Sequence, residues 1–221
     1  MSARLACRST EVSSPEDAAL VARLREGDEA AFSSLYDLYS PALLRLATVF
    51  VRTRAVAEEV VQETWMGVLD GVAAFEGRSS LKTWVFTILT NRAKTRGVRE
   101  GRSIPFSAIA GDSASEDDPA VDPARFKPNG MWSDPPRRWN DDTPEKLLAT
   151  HQTLSFLNDA IAALPANQRA VVTLRDIEGL DADEVCNILE ISETNQRVLL
   201  HRARSHLRRA IEAYESDEVP C

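Results

Sequence analysis

Leu180–Tyr214 reads LDADEVCNILEISETNQRVLLHRARSHLRRAIEAY. The pattern fits two helices joined by a tight turn, the second long and basic. Asp181 is placed to cap the first helix, and Glu184, three residues on, completes a capping box. Val185, Ile188 and Leu189 give that helix an apolar stripe. Ile191 fills the turn, and Ser192 offers its hydroxyl to the amides that open the next helix. There Leu200, Ala203, Leu207, Ile211 and Tyr214 recur at three- and four-residue spacing, which puts them on one face. Arg197, His201, Arg204 and Arg208 follow the same spacing on another face, with Arg202 and Arg209 beside it. No acid lies between Glu193 and Glu212. This is the layout of a helix-turn-helix, whose second helix enters the DNA major groove. Taken alone, such a pair can also be no more than a solvated charged surface.

Just upstream, Pro165 ends one helix and starts another, ANQRAVVTLRDIEG, which stops at Gly179. The helix before it opens at Thr143-Pro144-Glu145 and carries Leu147, Leu154, Leu157 and Ile161. Between Ile104 and Thr143 the character changes. Prolines punctuate the segment, and Asp112, Glu116, Asp117, Asp118 and Asp122 make its first part acidic. It reads as a linker. Phe126, Trp132 and Trp139 lie within it, and burying such rings against a helical domain is favourable, so packing of both tryptophans is expected.

Further out lies a second group of helices. Ser14-Pro15-Glu16-Asp17 opens one that stops at Gly27, and residues 1–13 read as disordered. Asp28 opens the next, with Phe32, Leu35, Tyr36 and Tyr39, and Pro41 is expected to kink or restart it. AVAEEVVQETWMGVL, from Ala55 to Leu69, is strongly amphipathic. Val60, Val61, Trp65, Val68 and Leu69 make its apolar stripe, and Glu58, Glu59, Gln62 and Glu63 its acidic face. Ser79 or Ser80 caps LKTWVFTILTNRAKTRGVREGR, in which Trp84, Val85, Ile88 and Leu89 face inward. From Arg78 to Arg102 a single acid, Glu100, stands against seven basic residues. A second basic helix makes a nucleic-acid surface more credible.

The chain has 221 residues and an ordinary globular balance, 43% hydrophobic and 27% charged. Its net charge of −8 argues against a protein that coats DNA nonspecifically, because such affinity comes from neutralising phosphates. Local basic patches and a larger partner would have to supply the grip. Cys7, Cys186 and Cys221 show no zinc spacing, and Cys186 sits among apolar positions. No apolar run suggests a signal peptide or a membrane span, so a cytoplasmic location is expected. There is no phosphate-binding glycine loop, no metal motif and no nucleophile elbow, so no catalysis and no cofactor are expected. No run alternates as a strand would, and the class is all-α, as two small helical domains joined by the Pro-rich acidic linker. The boundaries are 14–103 and 144–215, with a linker over 104–143 and a tail over 216–221.

In this order the segments resemble a bacterial RNA polymerase sigma factor of the extracytoplasmic-function group of the sigma-70 family. AEEVVQETWMGVL resembles the region 2 helix that docks on the polymerase clamp. FEGRSSLKTWVFTILTNRAKTR resembles the segment that engages the promoter −10 element. LPANQRAVVTLRDIEGLDADEVCNILEISETNQRVLLHRARSHLR resembles region 4, which reads the −35 element. The match covers roughly residues 17–102 and 151–214. It implies a non-enzymatic initiation subunit that binds core polymerase, selects promoters and helps open the duplex. Glu58, Glu59, Gln62 and Glu63 would form the docking face. Phe75, Lys82, Asn91, Arg92 and Arg96 would serve the −10 element. Glu193, Asn195, Gln196, Arg197, Leu199, Arg202 and Arg204 would lie on the recognition helix. Asn195 and Arg197, near its start, are expected to read bases, and Arg202 and Arg204 to hold the backbone or to pack. The linker would thread the RNA-exit path. Members of the group are held by a cognate anti-sigma factor, often membrane-bound or zinc-binding; no small-molecule substrate is implied. The chain departs from the family at Thr194 and Gln196, where a small residue and a valine are common. The alternative is an autonomous dimeric helix-turn-helix regulator, which would bind a palindrome by itself.

Overall fold

The computed structural model describes residues 14–101, 104 and 144–217. The expectations for residues 1–13, for the linker with Trp132 and Trp139, and for the end of the tail lie outside the described residues. Among the described residues there are helices and turns and no strand.

The first half is built from α1 (Pro15–Arg25), α2 (Glu29–Phe50), α3 (Arg54–Gly71) and α4 (Leu81–Arg99). Each begins on a side-chain cap, because the first amides of a helix have no carbonyl behind them. Ser14 accepts from the Asp17 amide at 3.0 Å, Asp28 from Ala31 at 3.0 Å, and Ser80 from Thr83 at 3.1 Å. The cap therefore falls on Ser80 rather than Ser79. The Asp28 carboxyl is held below its usual range, first by the Ala31 amide and then by Arg23. Gly27, at φ 79°, takes the left-handed turn between α1 and α2. Pro41 neither ends nor restarts α2, which runs through it, with Pro41 on the exposed side.

Leu43, Leu46, Phe50, Phe86 and Leu89 are fully buried between these helices. Trp65 is buried too; its indole N–H donates to Ser40 Oγ at 3.0 Å, and Phe32 meets its ring edge-on. The inward register of α3 is Ala57, Val60, Val61, Thr64, Trp65 and Val68, continued by Val72 in the 3₁₀ turn Val72–Ala74. Leu69, expected in that stripe, is instead half exposed, since it lies a full 100° round the helix from Val68. Arg25 fastens α1 to the turn through the carbonyls of Val72 at 3.1 Å and Phe75 at 2.6 Å.

The second half holds α5 (Pro144–Ala163), α6 (Ala166–Val172), α7 (Ala182–Leu189) and α8 (Glu193–Asp217). The single helix expected after Pro165 widens into a π-helical turn at Thr173–Ile177, closed by a bond from the Glu178 amide to the Thr173 carbonyl at 2.9 Å. Asp181 and Glu184 form the reciprocal capping box of α7. Glu190, at φ 61°, supplies the left-handed residue that turns the chain toward α8, a conformation that carries strain for a residue with a Cβ. Ser192 accepts from the Asn195 amide at 3.2 Å. Phe156 of α5 stacks on Tyr214 of α8, with ring centres 4.5 Å apart.

The halves touch. α7 rests on α4 and α6 on α2, so the buried residues of both make one continuous core. Among the described residues no helix is long and apolar enough to cross a membrane.

Candidate nucleic-acid interface

Glu58, Glu59, Gln62 and Glu63 are all exposed on α3, on the side opposite its apolar stripe. The basic residues of α4 lie next to them. Arg96 pairs with Glu59, and an Arg92 guanidinium nitrogen stands 3.8 Å from Glu63. Arg54 answers Glu58 within α3 at 2.8 Å. Two faces chosen separately from the sequence are therefore one mixed-charge surface.

Between them runs a groove of about 500 Å³ lined by Glu63, Ile88, Asn91, Arg92, Thr95, Arg96 and Arg99. Its chemistry suits a nucleotide strand. Guanidinium groups bind phosphate through charged hydrogen bonds, an amide reads a base edge, and an aliphatic floor accepts a ring. Gly67 admits Arg92 to this surface: a Cβ there would lie 2.5 Å from its terminal nitrogen. Asn91, Arg92 and Arg96 are thus brought together as expected. Ile88, Thr95 and Arg99 join them; Ile88, expected to face inward, packs against the core and also lines the groove.

Two residues chosen for the same role lie elsewhere. Phe75 is buried, its ring 4.9 Å from that of Trp84. An apolar ring one residue past the 3₁₀ turn gains more from that contact than from water. Lys82 points away from the groove, with its ammonium 2.6 Å from the Glu178 carbonyl and 5.8 Å from the centre of the Phe86 ring.

Along α8, Glu193, Thr194, Arg197, His201, Arg204 and Arg208 are exposed and Arg202 is partly so. Asn195, Gln196 and Leu199 are turned inward, at 5%, 2% and 3% exposure. This corrects their placement on an outward reading face. Gln196 falls on the register of Leu200, Ala203 and Leu207, so the helix cannot bury that stripe without burying Gln196 as well. The outward helix face is Thr194, Arg197, His201, Arg204 and Arg208. Arg197 pairs with Glu193, and Arg204 makes a two-pronged contact to Asp176 at 2.6 and 2.9 Å that raises its pKa. These acids partly answer the charges of the helix.

The Gln196 amide nitrogen is buried with no hydrogen-bond partner among the described residues. A buried donor left without a partner costs about 1–3 kcal/mol. Gln196→Leu is therefore expected to stabilise the chain by about 1–2 kcal/mol, read as a higher thermal midpoint by circular dichroism. An unchanged or lower midpoint would mean that the amide is satisfied in solution.

Residues 35–103 match the family model for Sigma-70 region 2, and residues 157–207 match that for Sigma-70, region 4. Together the two segments span more than half of the chain. The ECF RNA polymerase sigma-E factor of Haemophilus influenzae is 29% identical over 196 residues, covering 89% of this chain and 95% of the relative. The RNA polymerase sigma-H factor of Pseudomonas aeruginosa is 27% identical over 199 residues, covering 89% and 94%. The fold is similar to that of CnrH, solved with the cytosolic domain of CnrY, with a TM-score of 0.54 at 19% identity over 89% of this chain and 97% of that one. It is also similar to the sigma factor RpoE of Bartonella quintana, solved with the anti-sigma factor NepR, with a TM-score of 0.52 at 22% identity over 82% and 96%.

Proposed function

The chain belongs to the extracytoplasmic-function group of the sigma-70 family, and from that membership we propose how its surfaces divide the work of promoter recognition. It is an RNA polymerase sigma factor. It binds core polymerase and directs transcription initiation at particular promoters, and RNA synthesis itself is the polymerase's chemistry. The autonomous dimeric regulator is not favoured, since such a protein would need no region 2.

Residues 14–103 form the region 2 unit and 144–215 the region 4 unit, with 104–143 as the linker between them. The exposed Glu58, Glu59, Gln62 and Glu63 of α3 dock on the polymerase clamp. The groove of Asn91, Arg92, Arg96 and Arg99 takes the −10 strand. The outward face of α8, from Thr194 through Arg197 to His201, reads the −35 duplex, with Arg202 and Arg204 on the backbone. A cognate anti-sigma factor is a third partner, as NepR is for RpoE in their complex. The site of action is the cytoplasm, where the polymerase is.

One observation carries this assignment best. Two basic helices, α4 and α8, belong to the two segments that match region 2 and region 4, in family order. The test is promoter-directed transcription by purified core polymerase with and without the chain. Specific transcripts that need the chain are expected. A chain that retards promoter DNA alone yet leaves core polymerase inactive would restore the autonomous regulator.

A further inference from the structure

Gly67 lies in the interior of α3 on ordinary helical backbone, with no positive φ. A glycine there weakens a helix relative to alanine, because it loses more backbone freedom on folding. No turn calls for it, so what it supplies is space. A Cβ at Gly67 would lie 2.5 Å from one terminal nitrogen of Arg92, 3.3 Å from its Cζ and 3.4 Å from its Nε. The Arg92 guanidinium therefore occupies the volume that a side chain at this position would take. Glu63, one turn earlier on α3, stands 3.8 Å from the same guanidinium. Gly71, one turn later, makes a different kind of contact. A Cβ there would meet the Trp84 ring at 3.1 Å, and that ring is packed on Phe75. A side chain at Gly71 would press on the core, whereas one at Gly67 would push aside the free end of a flexible side chain. Substitution at Gly67 moves a charge rather than the fold.

We propose that Gly67 is a positioning residue of the nucleic-acid groove: by leaving its side of α3 bare, it seats the Arg92 guanidinium at the groove wall for a phosphate of the bound single strand. The inference rests on the reading of that groove given above. Arg92 lines the groove, and its side chain is 39% exposed, so a phosphate can reach it. A long side chain that is ordered only on binding costs affinity. Held between Gly67 and Glu63, Arg92 has lost part of that freedom before the strand arrives. Alanine at position 67 would turn the guanidinium away from α3 and from Glu63. The groove would keep Asn91 and Arg96, and one of its charges would no longer be aimed.

The test compares Gly67→Ala, Arg92→Ala and the double variant, each as the full chain assembled with core polymerase. The probe is a short fluorescent single-stranded DNA of mixed sequence, because phosphate contacts carry no sequence information. Gly67→Ala is expected to raise the dissociation constant of the strand by about tenfold, the scale of one charged hydrogen bond. It should also flatten the salt dependence by about 0.7 in logarithmic slope, the share of one phosphate on a single strand. Its thermal midpoint should equal or exceed that of wild type, since alanine favours the helix, and its affinity for core should be unchanged. In the Arg92→Ala background the same change should do nothing further, which separates a residue acting through Arg92 from one acting on the fold. Wild-type strand affinity for Gly67→Ala, where Arg92→Ala binds weakly, would overturn the inference. So would an equal loss in both backgrounds, and so would a lower thermal midpoint, which would make Gly67 a packing residue. If Arg92→Ala itself binds the strand as wild type does, the groove reading falls, and this inference with it.

Discussion

Reversing Glu59 and Glu63 to lysine is expected to lower affinity for core polymerase by at least about tenfold, the largest loss expected of any surface change. Both carboxylates are exposed on α3, and a partner surface complementary to them would meet like charge after reversal, which costs several kcal/mol at an interface. The fold should withstand the change. Glu59 and Glu63 face Arg96 and Arg92, but these are partly solvated pairs, each worth about 0.2–1 kcal/mol. Helicity by circular dichroism should be native, and the thermal midpoint should drop only slightly. Because Arg92 loses Glu63 and Arg96 keeps only Glu100, the groove proposed for the −10 strand also becomes more positive, so non-specific binding of single strands should rise while core binding falls. Unchanged core affinity in a pull-down, with native helicity, would remove the acidic face from the docking surface.

On the recognition helix, Arg197→Ala is expected to cost about 1–3 kcal/mol on the best promoter, with the loss concentrated at one −35 position. Arg197 stands exposed in the first turns of α8, where a recognition helix reaches base edges, and among the described residues it pairs with Glu193. Asn195→Ala should behave differently. Asn195 is buried beside Gln196, so its truncation is expected to lower thermal stability and leave the order of base preference as it was. Arg202→Ala should weaken every promoter alike and flatten the salt dependence by roughly one phosphate's worth. Holoenzyme binding to single-base −35 variants at several salt concentrations separates the three. A uniform loss for Arg197→Ala would assign it to the backbone. A position-specific loss for Asn195→Ala would mean that α8 rotates on DNA.

The helices, their caps and the two charged faces were legible in the chain because they are local. Ser14, Asp28 and Asp181 cap helices through amides three residues away, and an apolar period of 3.6 commits a helix whatever it later packs against. The same locality exposed the helix-turn-helix and the acidic face of α3. Which side chain at a given position turns inward is another matter, because that depends on neighbours distant in sequence. Gln196 is polar by type and buried by register, and Asn195 and Leu199 go in beside it where α6 and α7 close over α8. Phe75 looked available until Trp84, nine residues on, came to lie against it. Leu69 looked like core until Val68 and Val72 set the phase of the stripe. The contact between α4 and α7 was least visible of all. Glu184 reads as half of a capping box, and nothing in its local pattern announces that Ser80, 104 residues earlier, shares its carboxylate. A local pattern tells a helix which of its faces is apolar; only three-dimensional packing tells a polar side chain whether its partner is water, DNA or the other half of the same chain.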